Sequence, residues 1–145
     1  MIRSLVSILC IAALSACCLQ LAPAAEKAAA PSAVIVSPKE AAKVGQVEEL
    51  EGKVTGEGWP VVLVQPQADE RMWWIQAPVE EMDGGKFTVP IQCGNDQTKP
   101  GTKFKLMIVL AKSKEDAHKF ERGKTRPALP AGLTRSEPVT VTRGE

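Results

Sequence analysis

Apolar and polar residues alternate with a period of two in three stretches of the chain. Leu50, Gly52 and Val54 alternate with Glu49, Glu51 and Lys53. Phe87, Val89 and Ile91 alternate with Lys86, Thr88 and Pro90, and Val139 and Val141 alternate with Thr140 and Thr142. Neighbouring side chains on a strand point to opposite faces, so this pattern predicts half-buried strands with one face on a core. Two other runs, Val61–Val64 and Leu106–Leu110, are apolar at every position. They predict central strands covered on both faces. Val34–Val36 and Met72–Ile75 bring the count to about seven short strands.

The connections carry turn chemistry. Gly56-Glu57-Gly58-Trp59-Pro60, Pro66–Glu70, Asp83-Gly84-Gly85 and Gly94-Asn95-Asp96 fall between the apolar runs. Asp83-Gly84-Gly85, set just before the cleanest alternating strand, predicts a tight turn. One helix is expected near residues 114–122. Ser113 can cap it with Asp116 three positions on, Ala117 and Phe120 share its apolar side, and Gly123 can end it. A parallel α/β sheet would need a helix between most strands. The pattern therefore predicts an all-β, antiparallel β-sandwich, with a five-stranded barrel as the alternative.

The amino terminus has a different character. Met1-Ile2-Arg3 gives a short positive start, and Ser4–Leu14 is apolar and uncharged. This is the pattern of an export signal, and the run is short for a membrane span. It predicts an exported protein of the periplasm, cell surface or extracellular space. Two processing sites compete. Ala22-Pro23-Ala24 suits ordinary cleavage, giving a signal over residues 1–24. Leu14-Ser15-Ala16-Cys17 resembles the lipobox of bacterial lipoproteins, which implies a signal over 1–16 and a lipidated Cys17. Residues 25–32 are an Ala/Pro-rich tether with too little bulky apolar surface to pack. The folded unit is expected over residues 33–143.

A second resemblance covers most of that unit. Val34-Ile35-Val36-Ser37-Pro38, then Leu50-Glu51-Gly52-Lys53-Val54, then Val61–Pro66 is similar to the opening of bacterial extracellular immunoglobulin-like domains. Leu129-Pro130-Ala131-Gly132 ahead of Val139–Thr142 fits the same kind of module. The resemblance implies an immunoglobulin-like sandwich with an adhesive, spacer or accessory binding role. The Cys…Trp…Cys core of antibody domains is missing from the sequence.

Charge narrows the function classes. The chain of 145 residues has 18 Lys+Arg against 17 Asp+Glu, and removal of residues 1–24 takes Arg3 alone, leaving net charge 0. A neutral module has no electrostatic case for nucleic acid. The same balance leaves a lipid anchor as the one expected route to a membrane. The mixed charges from Lys112 to Arg126 suit a solvated helix face.

Three tryptophans are the candidate ligand-binding residues. Trp73 and Trp74 are neighbours on a strand, so they must face opposite ways, and an exposed one could stack on a sugar or anchor a protein. Trp59 lies between Gly58 and Pro60, as a loop residue or a corner plug. Asp69, Glu70, Asp83, Asn95 and Asp96 could offer oxygens to Ca²⁺, yet no EF-hand spacing occurs and such residues serve turns. Neither a metal nor a cofactor is expected. Cys93, outside the signal the lone cysteine, and His118, the lone histidine, could form a thiol–imidazole pair, though a buried structural thiol is the simpler reading. The adjacent carboxylates Glu48-Glu49 and Glu80-Glu81 point apart on a strand. The sequence thus predicts a non-catalytic binding or structural module of the bacterial envelope or extracellular space. Its partner would be a protein or an envelope polysaccharide. The alternatives are a carbohydrate- or cell-wall-binding module using an exposed Trp and, third, a thiol-dependent enzyme at Cys93.

Overall fold

A computed structural model describes residues 29–145, so both processing sites, Cys17 and the first half of the tether lie outside the described residues. The remainder is an antiparallel β-sandwich. Its smaller sheet joins β1 (Ser32–Ser37), β3 (Val47–Thr55) and β6 (Lys86–Gln92) in the order β1-β3-β6. β3 and β6 pair from Val47–Gln92 to Lys53–Lys86. The larger sheet runs β2 (Lys43–Val44), β10 (Val139–Arg143), β7 (Lys103–Ala111), β4 (Trp59–Pro66), β5 (Trp73–Ile75) and β8 (Thr125–Arg126). A further piece, β9 (Thr134–Arg135), also pairs with β7. β2 meets β10 in parallel, whereas the other pairs are antiparallel.

The strands that span three residues or more are β1, β3, β4, β5, β6, β7 and β10, the seven that the hydrophobic pattern predicts. The other three are two residues long, too short to show a period. β1 begins at Ser32, one residue ahead of the expected boundary. The Asp83–Lys86 turn closes with both backbone hydrogen bonds at 2.9 Å, and Gly84 and Gly85 take positive φ. That geometry is the primed hairpin turn that glycine permits.

The inner core lies between the sheets. Leu50, Leu106, Ile108, Val89 and Ile91 are almost fully enclosed there. Each such side chain contributes roughly 1.5–3 kcal/mol of burial energy. Phe87 lies over Gly52, its partner across β3 and β6, and the ring fills the space that a side chain at Gly52 would need.

A second cluster covers the outer face of the larger sheet. Val61, Leu63, Ile75, Val109 and Ala111 point outward and are buried beneath the long connection of residues 112–138, through Ala117, Phe120, Leu129 and Leu133. This accounts for the two runs that are apolar on both faces. The helix in the connection, α1 (Lys114–His118), stops short of the expected residue 122. Ser113 Oγ accepts the Asp116 amide at 3.1 Å as predicted. Beyond His118 the chain turns inward to seat Phe120, and the Gly123 amide donates to Ile75 O at 2.9 Å. Pairing with β5 replaces a further helical turn.

Along β7, the strand that would continue from β9 to β10 is interrupted at Ser136-Glu137-Pro138. Buried Ser136 bridges the gap: its amide donates to Ile108 O at 2.8 Å and its hydroxyl accepts the Ile108 amide at 2.9 Å.

Two substitutions check this packing. Gly52→Ala drives a methyl into the Phe87 ring and is expected to cost about 1–3 kcal/mol. Ser136→Ala leaves the Ile108 amide buried without a partner and is expected to cost about 1–3 kcal/mol. Urea unfolding midpoints at constant slope read both, and a wild-type midpoint in either variant would refute the corresponding contact.

Candidate functional site

Trp74 and Trp73 sit side by side on β5 and point to opposite sides of the larger sheet. Trp73 turns outward and is half-buried in the outer cluster. Trp74 pairs with Val64, an inner-core residue, so it stands on the inner face of the sheet. There the smaller sheet ends. β6 is its last strand, and among the described residues no fourth strand reaches across to cover β5. Trp74 is left 46% exposed.

The space beside it is a groove of about 420 Å³ at the seam between the sheets. That lies within the range of about 300–1,000 Å³ usual for small-ligand sites. Trp74, Phe104 and Pro66 provide apolar walls from the larger sheet. Gln92, Asn95, Thr98 and Thr102 bring amides and hydroxyls from the end of β6 and the loop after it. Arg122 reaches the rim from the long connection.

Gln76 fixes the floor. It shares the strand parity of Trp74 but is only 8% exposed. Its Nε2 donates to Trp74 O at 3.2 Å and its Oε1 accepts the Gln92 amide at 2.7 Å. One side chain thus ties the edge of the small sheet to the β5 side of the large one. The rim is also ordered: the Gln92 side chain donates to Gly94 O, and the Asn95 side chain accepts the Gln97 amide at 2.9 Å. The Asn95 amide in turn donates to Thr98 Oγ1 at 2.9 Å.

Trp59 is elsewhere. It packs half-buried in the outer cluster, its Nε1 donates to Val79 O at 2.7 Å, and the Lys114 ammonium stands 5.4 Å above its ring. It is the first residue of β4, paired with Ala111, and not the loop residue that its Gly58 and Pro60 neighbours suggested, and it does not line the groove.

The remaining candidate chemistry does not converge. Cys93 is wholly enclosed in the inner core at 0% exposure. Burial pushes its thiol pKa up to about 11, with Arg143 opposing and Glu48 adding to the rise. His118 lies on α1, over the outer face of the other sheet, 3.8 Å from Glu80. The larger sheet therefore separates thiol from imidazole. Asp69 pairs with Arg71 at 2.9 Å, which holds its carboxyl below the usual range, and Glu70 pairs with Lys105 at 2.7 Å. Among the described residues no three His, Cys, Asp or Glu side chains gather as a metal site. Glu48 turns in to accept the Gly45 amide, while Glu49 faces solvent. Glu80 pairs with Lys114, whereas Glu81 lines a wider hollow of about 520 Å³ over the small sheet. That hollow holds exposed charges of both signs, including Glu51, Lys53, Asp83 and Lys86. No helix among the described residues is long and apolar enough to cross a membrane.

Compared with protein-family models and with curated proteins, the chain matches none. Trp74 stands out in the sequence as a ligand candidate, whereas Gln76, Gln92, Thr98 and Arg122 do not, and Asn95 stands out only as a possible Ca²⁺ donor. The strand parity of Gln76 with Trp74 was the one available signal. The other residues come from separate segments that only the fold brings together.

Cys93 offers a direct check. In the native protein it is expected to resist a thiol reagent at pH 8 and to react at once in denaturant. Rapid native labelling would place the thiol outside the core. Because its pKa is raised on folding, the folded state holds the proton longer. Stability is then expected to fall as pH rises from about 9 to about 11. Cys93→Val is expected to show a shallower alkaline slope than the wild type in the same unfolding series.

Proposed function

We propose that the chain is an exported, non-catalytic binding module of the bacterial envelope, immunoglobulin-like in kind, with the Trp74 groove as its recognition surface. The observation that carries this reading is the placement of Trp74. A large aromatic side chain stands uncovered at a seam whose floor and rim are held by hydrogen bonds, and exposed aromatics of this kind anchor ligands. The scaffold supports it, because a site built on strands and tied turns holds its shape before the ligand arrives. The strand order, β1-β3-β6 facing β10-β7-β4-β5, supports the immunoglobulin-like assignment. The positive start and apolar run of residues 1–14 support export.

Co-sedimentation with bacterial cell envelopes tests the reading. The full chain is expected to pellet with them. Trp74→Ala is expected to cut the bound fraction several-fold while keeping the wild-type urea midpoint, since its side chain is not part of the core. Failure of the wild type to pellet, or equal pelleting of the variant, would overturn it.

A further inference from the structure

We infer that the groove takes a carboxylate-bearing sugar of an acidic glycan, stacked on Trp74 and held at its charge by Arg122. This inference rests on the groove being the recognition surface. Three features of the site select the ligand class.

The first is the pairing of one flat aromatic with short polar side chains. A pyranose ring has an apolar face of C–H groups and a rim of hydroxyls. An indole ring meets the face, and amides and hydroxyls meet the rim. Trp74 is beside Gln92, Asn95, Thr98 and Thr102 in this groove. Gln92 uses its side-chain N–H on Gly94 O, which leaves its carbonyl as an acceptor. Asn95 uses its carbonyl on Gln97 and Thr98, which leaves its N–H groups as donors. The rim therefore presents both a donor and an acceptor to a sugar hydroxyl.

The second feature is the charge. Arg122 is the one charged residue lining the groove, and it makes no ion pair among the described residues. Its neighbours in the same connection are engaged: Lys119 pairs with Asp116 and Lys124 with Glu121. A planar guanidinium matches a carboxylate in a two-pronged bond. A polyphosphate backbone would call for a row of cations, and here there is one.

The third feature excludes an extended peptide. Such a ligand would bind by adding a strand to the open edge of β6. The Gln92 amide faces that edge and is already taken by Gln76. Two residues earlier, on the same outward side, stands Pro90, which has no amide to offer. Main-chain pairing is blocked along the stretch that borders the groove.

Equilibrium dialysis of the full chain against a short oligogalacturonate, and against the same oligosaccharide with its carboxylates reduced to alcohols, tests the proposal. The Trp74 indole N–H signal, assigned with Trp74→Phe, reports the site. The acidic probe is expected to bind and shift that signal. Reduction of the probe, or Arg122→Gln, is expected to weaken binding about tenfold, the worth of one charge-assisted contact. Arg122→Gln is a surface change and leaves folding intact. Equal binding of the two probes, or an unchanged affinity in Arg122→Gln, overturns the role of the charge. If envelopes pellet the protein through Trp74 while neither oligosaccharide binds, the glycan is wrong and the binding surface stands. If neither envelopes nor sugars engage Trp74, both readings fall.

Discussion

The structure depends on the need to bury both faces of β4 and β7. These central strands are apolar at almost every position, so neither side can meet water. The small sheet covers one side. The other is covered by the connection of residues 112–138, which contributes a single turn of helix and three large apolar side chains. The chain thus builds three layers where a simple sandwich has two. The two covers differ in width. Three strands cannot span a sheet six strands wide, and the uncovered remainder of the inner face is where Trp74 stands. The groove is a consequence of that mismatch.

Much of the fold was legible in the residues. Leu50-Gly52-Val54 and Phe87-Val89-Ile91 declared their faces through the period of two, and the structure pairs them across one sheet. Val61–Val64 and Leu106–Leu110 declared their central position by having no polar face, and they lie side by side. What covers the outer side was harder to read. Phe120, Leu129 and Leu133 are spread over a stretch rich in charge and proline, with no periodicity to unite them. The cap and glycine pattern there predicts a helix to residue 122, whereas α1 ends at His118, because Gly123 serves a hydrogen bond to β5 instead of a helix end. Ser136 gave no signal at all, since its role depends on a strand break that becomes visible only next to Ile108.

The site was legible in part. Strand parity fixed that Trp73 and Trp74 diverge. It could not say which one is covered, because that depends on where the small sheet ends. The same limit applies to Gln76. Its polar side chain on an inward position looks like an exposed edge residue until Gln92 appears across the seam. Cys93 was more readable: a lone cysteine following an alternating strand is most simply a small core residue, and it occupies the inner core.

The place where the chain enters the sandwich has a consequence for reach. Ala29 and Pro31 lie against Gly56, beside the start of β1, and Ser32 pairs with Thr55 at the far end of β3. The groove is at the opposite end, where Gln92 pairs with Val47. The nine residues of β3 separate the two ends by about 26 Å. A domain held by its leading segment would therefore carry the groove at its distal tip, facing away from the point of attachment. Attached in that way, the sandwich would serve as a short post, with β3 and its neighbours setting the distance between the point of attachment and the groove.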